Sequence, residues 1–303
     1  MDFRNFVNRL RILQRLDRVF IDEVQVVLNT KESFRKVLGR LREVVDLKTQ
    51  LILLTATLPP RYERDLLRTL SLESSETKIF RNSTIRTNIQ YIVREKVSKE
   101  EVFSIIRKKD DEFPLERIVI YTRTIEAAKE LNRELNYSIY YSNSPRKERV
   151  LSDFLEGKIR ILISTSSLSY GIDVPNIQVV FHLGLPYHLY DYAQETGRAG
   201  RDGKDSEAIL LLSNSINSST LSTQLGPRPS KVEVFENSVI QRYISNTCRR
   251  AIFSSYLDGK EIEKCEKPAI PYDFCLKYYE SKSFFFHIYT FLIVFRYIEL
   301  DTR

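Results

Sequence analysis

Residues 194–203 read Gln-Glu-Thr-Gly-Arg-Ala-Gly-Arg-Asp-Gly, and they follow the stretch ILISTSSLSYGIDVPNIQVVFHLGLP at residues 161–186. The apolar runs at 159–164, 178–182 and 207–212 lack polar alternation, which is typical of strands buried on both faces of a parallel sheet. A helical pattern at 189–197 lies between the last two runs. This order of strands and helix predicts an α/β fold that binds ligands beyond the carboxyl ends of its strands.

The same alternation continues towards the N-terminus. Further strands are predicted at 18–22, 50–54 and 117–121, and further helices at 32–45, 61–70, 99–108, 125–135 and 146–156. Polar breaks at 71–87 and 213–229 divide the chain. We assign 1–80 to a partial first α/β lobe, 81–215 to a complete second lobe, 216–280 to a helical region and 281–303 to an unassigned apolar tail. The first lobe has only two predicted strands, so the chain is expected to begin inside a domain.

The composition is that of a globular protein of about two domains, with 303 residues, 42% hydrophobic and 29% charged. A net charge of +7 and a pI of about 9.1 favour a polyanionic partner such as nucleic acid. Three cysteines do not make a disulfide framework and indicate a reducing compartment. The apolar run at 284–295 is shorter than the ~20 residues of a membrane span, so we expect a buried helix or strand and no membrane partner.

Acidic and hydroxyl side chains follow the first two predicted strands. Asp22 and Glu23 suit a phosphoryl-transfer site, where one carboxylate binds Mg²⁺ through water and the other orients the attacking water. The alternative is a solvated acidic turn. Thr55 and Thr57 could hydrogen-bond to that pair, or they could belong to a turn that caps the next helix.

Arg198 and Arg201 stand three residues apart among three glycines. Glycines let the backbone turn tightly beside a ligand, and arginines at this spacing share a face and can reach one triphosphate. This pattern predicts positive charge aimed at phosphoryl transfer. A solvated basic loop is the alternative.

Five segments together resemble the conserved motifs of superfamily 2 helicases, in family order. They are DEVQ (22–25) for motif II, TATLPP (55–60) for motif III, IVIYTRTIEAAKEL (118–131) for motif IV, 161–186 for motif V and YAQETGRAGRDG (192–203) for motif VI. IRTNIQY (85–91) is similar to the segment that opens the second lobe of RecQ enzymes. The chain therefore resembles RecQ-like DNA helicases, which implies a RecA-like P-loop NTPase core and ATP-dependent 3′–5′ DNA unwinding. It also implies single-stranded or forked duplex DNA as the partner and the nucleus as the location.

The resemblance also implies roles for individual residues, with ATP and Mg²⁺ as cofactors. In the first lobe, Asp22 would bind Mg²⁺, Glu23 would be the catalytic base, and Gln25 stands where RecQ enzymes usually have a histidine that couples hydrolysis to DNA. Thr55 and Thr57 would link the nucleotide site to the DNA groove. In the second lobe, the residues implied at the nucleotide are Gly171, Asp173, Gln194, Arg198 and Arg201. Those implied near the DNA backbone are Arg123, Thr165 and Ser166.

One expected element is missing from the sequence. A Walker A loop reads G-x-x-x-x-G-K-[ST] and cradles the phosphates of ATP. Gly-Lys occurs at 157–158, 203–204 and 259–260, but Ile, Asp and Glu follow. We expect truncation before motif II and therefore little or no autonomous ATP hydrolysis. The alternatives are a catalytically inactive nucleic-acid-binding helicase fragment, a partner that supplies the missing first-lobe half, and an incomplete gene model.

The segment TCRRAIFSSYLDG at 247–259 resembles the start of the RecQ zinc-binding subdomain, which implies Cys248, Cys265 and Cys275 as zinc ligands. Structural zinc is almost always held by four Cys or His ligands, so this set is one ligand short. Tyr272 stands where a fourth cysteine would be expected, and the spacing of His287 does not recommend it. Free thiols are the alternative.

Overall fold

The computed structural model describes residues 3–28, 41, 45, 49–165, 168, 174–214, 229–245, 247–265 and 275. These residues form two units. The first comprises described residues of Met1–Thr84 and the segment Ser254–Lys260, and the second those of Ile85–Phe253 and Glu261–Arg303. In this part of the chain, no helix has both the length and the apolar character that a bilayer crossing requires. The apolar run at 284–295 lies outside the described residues.

The first unit contains a small parallel sheet packed against short helices. Val24, Leu66 and Leu70 belong to its apolar cluster, against which Ile21 of the sheet packs. The elements, in chain order, are α1 (Phe3–Ile12), β1 (Arg18–Ile21), β2 (Gln50–Leu53) and α2 (Glu63–Leu70), with 3₁₀ turns at Val24–Leu28, Pro60–Tyr62 and Ser74–Glu76.

Two expectations for this unit need correction. β1 and β2 pair with each other, but they are not buried on both faces, because along β1 exposed and half-buried residues alternate and Phe20 is 59% exposed. The helix predicted from 61 begins at Glu63, because Pro60–Tyr62 forms a 3₁₀ turn with a proline at its start. Helix α1 was not predicted. Of the helix predicted at 32–45, only residues 41 and 45 are described, and both are helical.

A segment distant in sequence completes the first unit. Asp258 accepts hydrogen bonds from the Ser83 hydroxyl at 3.2 Å and from the Thr84 amide at 3.1 Å. The Arg81 guanidinium donates to the Leu257 carbonyl at 3.0 Å and to the Leu58 carbonyl at 2.9 Å. The residues around Asp258 therefore belong to this unit, although they follow the second one in the chain.

The second unit is built on a six-stranded sheet with the order β3-β8-β7-β4-β6-β5, in which every pairing is parallel. This confirms the α/β expectation. The strands are β3 (Ile89–Val97), β4 (Arg117–Thr122), β5 (Ser138–Tyr140), β6 (Ile161–Ser164), β7 (Ile177–Leu183) and β8 (Ser206–Ser213). The helices are α3 (Lys99–Glu112), α4 (Ile125–Leu135), α5 (Lys147–Leu155), α6 (Leu189–Thr196), α7 (Lys231–Ile244) and α8 (Arg249–Phe253), which a π-helical turn follows.

The central strands β4, β6 and β7 are buried on both faces, as their apolar sequences predict. Successive side chains point to opposite faces of a strand. Ile120 and Phe181 therefore join the core shared with α3 and α4, whereas their neighbours Tyr121 and His182, which lie opposite each other, face the other side. This alternation places two polar side chains together at the carboxyl ends of adjacent strands.

Two strands of this sheet were not predicted, and several boundaries differ. β3 carries Gln90, Arg94 and Lys96, because it is an edge strand that pairs only with β8 among the described strands, and β5 is only three residues long. The strand predicted from 159 begins at 161. The helix predicted to end at 108 continues to Glu112, with a capping box between Ser98 and Glu101 at its start.

Candidate functional site

The acidic pair lies directly after β1. The Asp22 carboxylate accepts a hydrogen bond from the Glu23 amide at 2.8 Å, and the Glu23 carboxylate accepts one from the Gln25 side-chain amide at 2.6 Å. Glu23 has φ +51°, a left-handed conformation that costs a residue with a Cβ about 1–2 kcal/mol. Strain of this kind clusters at functional sites. The sequence had paired Glu23 with Asp22 but gave no sign that buried Gln25 orients its carboxylate.

Thr55 and Thr57 follow β2, the strand beside β1. The Thr57 amide donates to the Thr55 hydroxyl at 3.4 Å, and Thr57 is buried. Because the two strands are parallel, the acidic pair and the threonines leave the sheet at the same edge. The Val24 amide donates to the Leu54 carbonyl at 3.1 Å, which fixes one turn to the other.

Arg198 and Arg201 follow α6. The helix ends at Thr196, and the Arg198 amide donates to the Glu195 carbonyl at 3.3 Å within the turn. Both arginines therefore lie beyond the helix. Arg198 is buried and Arg201 is exposed. Gln194, implied at the nucleotide, lies half-buried on α6.

A buried His–Glu pair, which the sequence reasoning missed, lies beside this turn. His182 Nε2 is 2.8 Å from a Glu195 carboxylate oxygen. The His182 ring stacks on Tyr121, with centroids 4.9 Å apart, and meets the edge of Tyr192 at 4.6 Å. Burial raises the pKa of Tyr121, and the charge of Glu195 raises it further, whereas Arg198 lowers it. A single histidine within the apolar run of β7 was the sequence signal that could have indicated this pair.

The residues implied near DNA follow neighbouring strands of the second sheet. Arg123 follows β4 and Thr165 follows β6, and these strands pair directly. The Arg123 guanidinium lies 4.2 Å from the ring centroid of Tyr187, which is 61% exposed and was not singled out in the sequence. The Arg123 side chain also packs over Gly184, where an added Cβ would meet it at 3.5 Å. Ser166, Gly171 and Asp173 lie outside the described residues.

The three cysteines are buried together in the second unit. Their Sγ atoms lie within 4.8 Å of one another, and Cys265 Sγ is 3.5 Å from those of Cys248 and Cys275. Thiolates about 2.3 Å from a tetrahedral zinc are about 3.8 Å apart, so the cluster fits three of four ligand positions. The hydrogen bond between Cys248 and Cys265 lowers the pKa of Cys248 and raises that of Cys265. A fourth ligand is not among the described residues, and Tyr272 and His287 lie outside them.

Comparison with known families identifies the second unit. Residues 97–203 match the helicase conserved C-terminal domain. The fold agrees with this match. Yeast Dbp5 bound to RNA and ADP–BeF3 superposes with a TM-score of 0.55 at 20% identity, over 80% of this chain and 62% of that one. The second unit is therefore a RecA-like helicase lobe.

Several curated relatives of the chain are RecQ-like helicases. The putative ATP-dependent RNA helicase R290 of Acanthamoeba polyphaga mimivirus is 27% identical, over 87% of this chain and 50% of that protein. The RecQ-like DNA helicase blm-1 of Caenorhabditis elegans is 26% identical, over 86% of this chain and 28% of that protein. The ATP-dependent DNA helicase RecQ of Bacillus subtilis is 30% identical, over 67% of this chain and 36% of that protein. The RecQ-like resemblance is thus confirmed, and the chain spans half or less of each of these relatives.

Proposed function

We propose that this chain supplies the second lobe and part of the first lobe of an ATP-dependent DNA helicase of the RecQ type, which unwinds DNA in the 3′ to 5′ direction. One observation carries the proposal. The turn after α6 holds Arg198 buried beside the His182–Glu195 pair, while Arg201 is exposed on the same turn. In a loop fixed in this way, the arginine side chains do not have to rearrange before they act. Phosphoryl transfer is catalysed by such preorganised positive charge.

The described residues support specific roles in that reaction. Arg198 and Arg201 would neutralise charge that develops on the transferred phosphoryl group, and Gln194, with Gly171 and Asp173, would complete the second lobe's nucleotide contacts. In the first unit, Asp22 would bind Mg²⁺ and Glu23 would accept the proton of the attacking water. The Gln25 amide holds the Glu23 carboxylate through its 2.6 Å hydrogen bond, so movement of Gln25 on DNA binding would change the orientation of this base.

DNA would bind along the carboxyl edge of the second sheet. Arg123, Thr165 and Ser166 would contact phosphates there, and Thr55 and Thr57 would couple those contacts to the nucleotide site. Backbone binding of this kind weakens with salt, because each neutralised phosphate releases counterions. A net charge of +7 is consistent with a polyanionic partner. We expect the protein in the nucleus and, if zinc binds, three of its ligands to be Cys248, Cys265 and Cys275.

A second candidate is nucleic-acid binding without ATP hydrolysis. It is favoured by the absence of G-x-x-x-x-G-K-[ST] from all 303 residues. A partner chain that carries this motif would supply the phosphate cradle and with it restore the first proposal.

The two candidates differ in DNA-stimulated ATPase activity of the purified chain. Glu23→Gln removes the proposed base, and Glu76→Gln, an exposed carboxylate of the same unit, is the matched control. Turnover that Glu23→Gln abolishes and Glu76→Gln retains supports the helicase. Salt-dependent binding of single-stranded DNA without turnover supports the second candidate. Failure of both hydrolysis and DNA binding contradicts both.

A further inference from the structure

A fully buried arginine connects the cysteine cluster to the strand that opens the second unit. Arg250, only 2% exposed, donates to the backbone carbonyls of Arg86 at 3.3 Å, Thr87 at 3.1 Å and Ile89 at 2.8 Å. Its remaining arm donates to Cys265 Sγ at 3.4 Å. A guanidinium has five donors in one plane and no acceptor, so one rigid group fixes three carbonyls and a sulfur at once.

The segment held by Arg250 in turn holds the turn after α6. The Arg86 guanidinium donates to the carbonyls of Gly197 at 3.0 Å, Ala199 at 3.1 Å and Gly200 at 2.9 Å. Arg198 lies between the first two of these carbonyls. The orientation of its peptide groups is therefore set from both sides by one side chain that is distant in sequence.

A second contact reinforces the same arrangement. The Asn88 side-chain amide donates to the carbonyls of Gly200 and Lys204, both at 2.8 Å. The Ser206 amide, at the start of β8, donates back to the Asn88 carbonyl at 2.9 Å. Residues 86–88 therefore form a clamp around residues 197–204, and Arg250 holds the backbone of that clamp.

We propose that Arg250 and Arg86 act in series as positioning residues, linking the cysteine cluster to the loop that carries Arg198 and Arg201. A change at Cys265, such as metal binding or loss of the sulfur, alters the acceptor of one Arg250 arm. Loss of that acceptor frees one arm of the guanidinium, and the three backbone carbonyls that Arg250 also holds are then less restricted. The protection of residues 197–204 against hydrogen exchange then depends on whether the cysteine cluster is intact. This rests on the proposed function only in assigning the loop arginines to the nucleotide.

Amide hydrogen exchange of the full chain tests this link without ATP or DNA. The reporters are peptides that cover residues 197–204, where the Gly200 amide donates to the Ile177 carbonyl at 2.8 Å. We compare wild type with Arg250→Met, Cys265→Ala and the double variant. Arg249→Met is the matched control, because Arg249 is equally buried on α8 but donates to the carbonyls of Tyr243 and Ser245 instead.

Each single variant is expected to raise exchange in residues 197–204 roughly fivefold or more, the equivalent of one hydrogen bond. The double variant should match Arg250→Met, because the Cys265 sulfur acts on residues 197–204 only through Arg250. The control should leave these peptides as in wild type. Additive effects, no effect of Cys265→Ala, or an equal effect of Arg249→Met would each overturn the link.

A further variant keeps the test decisive if Arg250→Met does not fold, as loss of slow exchange in residues 117–122 would reveal. Arg86→Lys retains the charge of a half-buried side chain, but an ammonium lacks the planar fork that reaches three carbonyls. It should raise exchange in residues 197–204 and leave residues 117–122 protected. Unchanged exchange in the loop contradicts the proposal. Absence of ATPase activity bears on the proposed function and leaves this outcome unaffected.

Discussion

Gly200→Ala should destabilise the second unit much more than the same change at Gly203. Both glycines have positive φ, +58° and +83°, so each alanine variant carries about 1–2 kcal/mol of backbone strain. Their surroundings differ. A Cβ at Gly200 would meet the Asn88 side-chain amide and the Ser206 hydroxyl, both at 2.5 Å, and the Lys204 carbonyl at 2.8 Å, whereas one at Gly203 would meet no atom within 4 Å.

The added cost at Gly200 is that of overpacking, about 1–3 kcal/mol, because all three of those atoms are held by hydrogen bonds. Gly200→Ala should therefore lower the free energy of unfolding by about 1–3 kcal/mol more than Gly203→Ala does. Urea unfolding followed by circular dichroism measures both variants against wild type, with comparable m-values as the condition for comparison. Equal losses for the two variants would show that the clamp around Gly200 does not constrain this turn.

Three further predictions concern pH, metal and DNA. Burial raises the pKa of Tyr121, so its contribution to stability is complete below the unfolded pKa of about 10 and is lost as pH rises above it, by about 1.4 kcal/mol per pH unit. Tyr121→Phe should reduce this pH dependence of the free energy of unfolding in urea, and an unchanged pH dependence contradicts the assignment. Co²⁺ titration should produce thiolate-to-metal absorption in the wild type, weakened at least about tenfold in affinity by Cys248→Ser; equal affinity would exclude Cys248 as a ligand. Arg123→Ala should reduce the slope of log K against log salt for single-stranded DNA by about 0.7, whereas an identical slope would place Arg123 away from the phosphates.

The predicted strands at 117–121, 178–182 and 207–212 correspond closely to β4, β7 and β8, because central parallel strands are apolar on both faces and leave a continuous signal. The edge strand β3 escaped prediction for the opposite reason. Half of its environment is polar, so its sequence mixes Ile89 and Tyr91 with charged residues. The position of a strand within the sheet decided whether its sequence pattern predicted it, and that position is not encoded locally in the sequence.

The site shows the same division. The acidic pair and the two arginines were recognisable because their chemistry depends on residues that are close in sequence. The His182–Glu195 pair was not, because its members join only when β7 and α6 pack together. Tyr187 and Arg123 are 64 positions apart in the sequence, and they come into contact because the strands before them end at one edge of the sheet.

The sequence by itself determined the α/β class and the family resemblance, because apolar periodicity and short motifs are local properties. Tertiary structure alone decided how the turn after α6 is held. Neither Arg86 nor Arg250 was singled out in the sequence. In the structure Arg86 is half-buried and Arg250 is buried, and backbone carbonyls are their partners. A charged group that has lost its hydration must be satisfied by fixed acceptors, and only the folded chain brings those acceptors within reach.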